Sequence, residues 1–102
     1  ADDDIIIFIV TVSDGKYYIN GVQQDTLDLN IRSTYRFEID DSSHPLKLSV
    51  TPDGTHGDGA EYTEIGSPTS TFTVPDIAPS TLYYYCPNHS NMGGQINVSD
   101  QD

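Results

Sequence analysis

The chain contains a single cysteine, Cys86, and so cannot close an internal disulfide. Four basic residues stand against sixteen acidic ones, giving a formal net charge of −12. Such a surface repels phosphate backbones, which sets nucleic-acid binding aside, and attracts cationic proteins in a salt-dependent way. No apolar run is long enough to cross a membrane as a helix. The longest, Ile5 to Val10, falls far short of the ~20 residues that a span needs. It follows Asp2, Asp3 and Asp4 rather than a basic stretch, so it does not read as an export signal. Long Leu/Ala/Glu/Lys runs are also missing, which argues against helices.

What is present is abundant Ser and Thr with eight Gly and six Pro, a mixture that suits short strands joined by turns. Ile5 to Val12 is rich in β-branched residues and reads as a buried strand. Asp14-Gly15 and Asn20-Gly21 bracket a second strand, Lys16 to Ile19. Leu27 and Leu29 begin another extended piece. Tyr35, Phe37 and Ile39 alternate onto one face of the next strand. Between His44 and Val50, Leu46, Leu48 and Val50 share one face while Lys47 and Ser49 share the other. Residues 51 to 68 are punctuated by Gly and Pro and read as loop, with room for a short helix. Strands follow at Thr71 to Val74, Leu82 to Cys86 and, after a loop from Pro87 to Gly94, Gln95 to Val98. The expected architecture is all-β: one domain over residues 1–102, folded as a seven- to eight-stranded Greek-key β-sandwich.

The chemistry is concentrated in Cys86-Pro-Asn-His89-Ser-Asn-Met92. A thiolate, an imidazole and a thioether lie within seven residues. Cys sulfur and His nitrogen bind copper well, and a thioether serves as a weak, long axial ligand. The missing ligand must come from elsewhere, and His44 is the best candidate. It is in phase with Leu46 and Leu48, as Cys86 is with Leu82 and Tyr84, so both point to one core from strand ends. The candidate metal ligands are therefore His44, Cys86, His89 and Met92.

Other residues have plainer readings. His56 lies among glycines and reads as a solvated loop histidine. The Asp53 to Asp58 segment lacks a calcium-loop pattern. Tyr83 and Tyr85, on the outer parity, read as cross-strand packing partners. The glycosylation-type triplets at Asn88 and Asn97 read as chance matches.

With these residues in view, the chain resembles the cupredoxins, the type 1 blue copper proteins, over its whole length. The family pattern is an upstream His before a strand and then Cys-x-x-His, two to four residues and Met near the C-terminus; the short Cys-x-x-His-x-x-Met loop here is similar to those of amicyanin and pseudoazurin. The resemblance implies one mononuclear copper ion cycling between Cu(I) and Cu(II), held by His44, Cys86, His89 and, more weakly, Met92. It further implies a one-electron carrier rather than an enzyme, monomeric, without direct membrane insertion, and exported to a periplasmic or extracellular space. His89 would be the partly exposed edge for electrons, with Tyr85 as a second path. The expected partner is a cationic redox protein, a cytochrome or copper oxidoreductase, docking on Asp40, Asp41 and some of Asp53, Asp58, Glu61 and Glu64. Two departures stand out. Pro45 follows His44 where the family often has an Asn that ties the ligand segments together, so that tie must be replaced. Ser90 and Asn91 are also more polar than the usual rim. Competing functions are a copper-binding or structural module of a larger secreted or viral surface protein, a copper site reactive toward nitrogen oxides, and a zinc site on the same ligands.

Overall fold

The computed structural model describes residues 5–39 and 43–100. Among the described residues nine strands form: β1 (Ile5–Ser13), β2 (Lys16–Ile19), β3 (Val22–Gln23), β4 (Leu27–Asn30), β5 (Thr34–Ile39), β6 (Lys47–Ser49), β7 (Phe72–Thr73), β8 (Thr81–Cys86) and β9 (His89–Ser99). A five-stranded sheet has the order β3-β2-β1-β5-β7, and a four-stranded sheet the order β4-β9-β8-β6. The chain crosses repeatedly between them, which makes β1–β5 and β4–β9 parallel pairs within otherwise antiparallel sheets. The turns follow the sequence signals. Asp14 and Gly15 (φ 51° and 73°) join β1 to β2, and Asn20 and Gly21 (φ 51° and 87°) join β2 to β3. Left-handed backbone at both turn positions matches the twist of the flanking strands. Among the described residues no helix is long and apolar enough to cross a membrane.

The core is the space between the sheets. Tyr17, Ile19, Tyr35, Phe37 and Phe72 meet Leu27, Leu29, Leu48, Leu82, Tyr84 and Ile96 there. Phe37 is the hub of the aromatic contacts, with ring centroids 5.2 Å from Phe8, 6.2 Å from Phe72 and 6.1 Å from Tyr84. Alternation on β5 and β8 therefore faces inward as the pattern predicted.

Two expectations need correction. The first half of β1 is largely uncovered: Ile5, Ile6, Ile7 and Ile9 are 42–51% exposed, Phe8 is half-buried against the core, and Val10 is the first buried residue. A two-layer sandwich covers only one face of each sheet, so a continuous apolar run does not by itself reveal how many faces are covered. Val50 is the second. It is 40% exposed, whereas Ser49 is fully buried. The alternation stops because β6 ends at Ser49, whose hydroxyl donates to the Thr51 carbonyl at 2.7 Å and turns the chain. The following segment folds back over the sheet, with Tyr62 N donating to Leu48 O and Ser49 bridging Glu61. This strap carries a short 3-10 turn, His56–Asp58, where a short helix had room, and it buries Tyr62.

Candidate metal centre

His44 lies in the turn before β6 rather than at the head of the strand, because pairing with β8 begins only at Lys47. Two features fix the turn. The Tyr17 hydroxyl lies 2.8 Å from the His44 carbonyl and 3.0 Å from the Pro45 carbonyl, and it shares its one proton between them. Leu46, just beyond, is buried in the core. His44 itself is half-buried.

Cys86 ends β8 with its side chain fully buried, in phase with Leu82 and Tyr84. The chain then turns through Pro87 and Asn88, and His89 pairs directly with Cys86 across the hairpin. The expected loop to Gly94 is thus mostly strand, since β9 begins at His89. Paired residues of an antiparallel ladder project to the same side, so Cys86 and His89 share a face without a wrapping loop. Met92 presents a parity problem. It is in phase with Ile96 and Val98, but an odd number of residues from His89, so regular alternation would set the two on opposite faces. A bulge resolves this. Residues 90–93 of β9 lie opposite Tyr85 alone, between the Tyr84–Gly94 and Cys86–His89 pairs, and Asn91 is left-handed at φ 61°. Met92 accordingly joins the core at 0% exposure. Gly93 permits the close approach, since a Cβ there would lie 1.6 Å from the Tyr84 carbonyl oxygen.

The three donor atoms of His44, Cys86 and His89 all lie within 4.8 Å of one another. Cys86 Sγ is 3.6 Å from His89 Nδ1 and 3.9 Å from His44 Nδ1. Metal–ligand bonds of about 2.0 Å to nitrogen and 2.3 Å to sulfur, at angles between tetrahedral and trigonal, separate such donors by about 3.5–3.8 Å. The spacing is thus that of co-ligands of one ion. The imidazole rings are 4.6 Å apart between centroids and tilted by 43°, splayed rather than stacked. A thiolate with two imidazoles is the donor set that favours copper, with zinc as the colourless competitor. The burial is graded: Cys86 is buried, His44 half-buried and His89 exposed.

Around the cluster the structure agrees with one reading and corrects another. Tyr85 is on the outer face but only 1% exposed, because the strap at residues 52–59 lies over its ring. Burial pushes the phenol pKa of Tyr85 upward, as it does those of Tyr62 and Tyr84. His56 is not a solvated loop histidine. Its Nε2 is 2.9 Å from the Cys86 carbonyl oxygen, and its ring meets the Tyr85 ring edge-on at 6.4 Å. A carbonyl can only accept, so His56 carries a proton on Nε2. Nothing local in the sequence marks this contact, which depends on where the strap lands. Of the expected acidic docking residues, Asp53 is engaged, accepting the Asn91 amide at 2.7 Å, and Glu61 lies 3.6 Å from Lys47. Asp58 and Glu64 are exposed. Asp40 and Asp41 lie outside the described residues.

No family model matches the chain, and no curated protein matches it. Solved structures do. A rusticyanin point mutant superposes with a TM-score of 0.65 at 17% identity, over 92% of this chain and 77% of that one. Rusticyanin from Thiobacillus ferrooxidans gives 0.55 at 18% identity over the same shares. A variant of the McoA multicopper oxidase from Aquifex aeolicus gives 0.52 at 17% identity, covering 99% of this chain but 28% of the oxidase. Both sheets and the His–Cys–His cluster agree with these likenesses: the chain has the cupredoxin β-sandwich fold, and its cluster fits a type 1 copper site.

Proposed function

We propose that the chain binds one copper ion through His44, Cys86 and His89, with Met92 as a weak axial ligand, and works as a one-electron carrier. The observation that carries this reading is the spacing of Cys86 Sγ from the two Nδ1 atoms, 3.6 and 3.9 Å, in a cluster built on the rigid end of a sandwich. Copper so held supplies a one-electron couple whose potential the thiolate and axial thioether tune. The chain's own residues do the rest. The β8–β9 hairpin holds Cys86 and His89 as a cross-strand pair. Tyr17 fixes the His44 turn, and the core keeps water from the sulfur. Exposed His89 offers the edge to a partner, while buried Cys86 does not. The reading includes no catalysed reaction, a cationic redox protein as partner, and a periplasmic or extracellular setting.

A second reading has its own support. The McoA match places nearly the whole chain on about a quarter of a multicopper oxidase, so a domain of this shape also serves as part of a larger protein. A copper-binding module of a longer chain would keep the same site.

The test is a visible absorption and electron spin resonance spectrum after adding Cu(II) to the apo-protein. The expected result is an intense thiolate-to-copper band that is absent in Cys86→Ser. A colourless protein containing zinc, or no metal, would overturn the copper assignment. Reversible one-electron voltammetry then separates a carrier from a copper site that does not cycle.

A further inference from the structure

The hairpin that carries the candidate ligands is not held by its own turn alone. The 52–59 strap crosses the outer face of β8 and touches the hairpin at two separate points. At one end His56 Nε2 donates to the carbonyl of Cys86 at 2.9 Å. At the other, Asp53 Oδ1 accepts the N–H of Asn91 at 2.7 Å. Between them Gly54 lies flat on the Tyr85 ring. A Cβ at Gly54 would sit 2.0 Å from Tyr85 Cδ2, and its φ of 63° is itself left-handed. The strap is braced internally by Thr51, whose hydroxyl donates to Gly54 O and accepts from Ala60 N, each at 2.9 Å.

The second contact falls at the most consequential peptide of the hairpin. Asn91 is the left-handed residue that breaks the alternation of β9 and sends Met92 into the core beside Ile96. Asn tolerates left-handed backbone better than other non-glycine residues, and the groups around Asn91 hold it there. The surroundings here are specific. Asp53 takes the Asn91 N–H, while Lys16 Nζ and Gln24 Nε2 each donate to the Asn91 carbonyl at 3.0 Å. The hairpin is therefore gripped at both ends, at Cys86 by His56 and at Asn91 by Asp53.

We infer that His56 and Asp53 are positioning residues for the metal centre, acting together as an outer clamp that sets the distance from Cys86 through His89 to Met92. The inference rests on the copper reading above. The clamp acts on the hairpin alone, while the His44 turn is held separately by the Tyr17 hydroxyl. One direct contact between the two ligand segments, Asn88 Nδ2 to Ser43 O, spans 3.5 Å and is weak. A strap hydrogen-bonded to the backbone fixes the ligands without occupying a coordination position, as residues around a metal commonly do.

The experiment uses the full chain loaded with copper and four variants. His56→Ala and Asp53→Ala remove one grip each, while His56→Gln and Asp53→Asn keep a donor and an acceptor in place. Transfer of Cu(I) to a chelator should be about tenfold faster in each Ala variant, the effect of losing one partnered hydrogen bond. The thiolate-to-copper band and the copper hyperfine splitting should shift with it, and the Gln and Asn variants should stay near wild type. A merely structural role would lower the melting temperature and leave release and spectrum unchanged, and that result overturns the clamp. The apo-protein supplies a readout free of copper: solvent exchange of the Asn91 amide should accelerate about tenfold in Asp53→Ala. No thiolate band in the wild type would sink the copper reading alone. The clamp would then stand or fall on the Asn91 exchange rate, with an unchanged rate overturning it.

Discussion

Single residues account for most of the site's geometry, and several do so through hydroxyls and amides rather than through ligation. Tyr84 illustrates the cost of such placement. Its ring packs against Tyr17 and Phe37, and its hydroxyl donates to the Asp25 carbonyl at 2.7 Å. Burial, with a smaller contribution from the Asp25 charge, raises its pKa well above the ordinary value. The folded chain therefore holds this proton more tightly than the unfolded chain does. Stability from that difference is complete below the unfolded pKa of about 10 and is lost as pH rises beyond it. Melting temperature should fall steeply above about pH 10, with a shallower fall in Tyr84→Phe, which lacks the ionisable group. Parallel slopes in thermal scans from pH 9 to 11 would contradict this. At this scale the sequence marked His44, Cys86, His89 and Met92 as candidate ligands, because chemically distinctive side chains sat at ligand spacing, and the structure brings the first three together. It concealed His56 and Asp53, whose importance comes from backbone atoms distant in the chain.

Elements show where pattern and packing part company. Alternation predicted the inner faces of β5 and β8, since the core covers those strands along their length. It failed beyond Ser49, where the strand simply ends, while the continuous apolar run of β1 overstated burial and left Ile5, Ile6, Ile7 and Ile9 exposed. This difference has energetic consequences. Ile7→Thr, on the exposed part of β1, should change stability by less than about 0.5 kcal/mol, whereas Phe37→Ala, at the aromatic hub, should cost about 3–5 kcal/mol in urea unfolding. Equal effects would mean that the burial gradient along β1 is wrong. The strap gives the converse case. It reads as a featureless Gly-rich loop, yet Gly54 is required by the ring beneath it. Gly54→Ala should destabilise by about 1–3 kcal/mol through overpacking against Tyr85, in addition to the strain that its left-handed backbone would impose on any Cβ. The ligand hairpin was likewise hidden as strand, because the Asn91 bulge breaks the period by which strands are recognised.

For the whole molecule, the net charge of −12 dominates long-range behaviour. Exposed ion pairs such as Arg32 with Asp76 and Asp100, at 2.8 and 2.9 Å, offset little of it and stabilise little. If a cationic redox protein is the partner, electron-transfer rates should fall severalfold as ionic strength rises from about 0.01 to 0.15 M and the Debye length shrinks from about 30 to 8 Å. A flat rate in stopped-flow mixing with a cationic cytochrome would remove steering by charge from the account. By itself the sequence determined the all-β class, the turn positions, the inward rows of the longer strands and the four candidate ligands. These rest on local period, turn chemistry and the rarity of a lone Cys, His and Met so closely spaced. Only the tertiary structure decided which faces the sandwich leaves open, where β6 and β9 begin and end, and how His44 comes within reach of Cys86. It also decided that a strap from another part of the chain grips the hairpin on both sides. Those outcomes depend on contacts between residues distant in sequence, and a one-dimensional pattern carries no record of which distant backbone groups will meet.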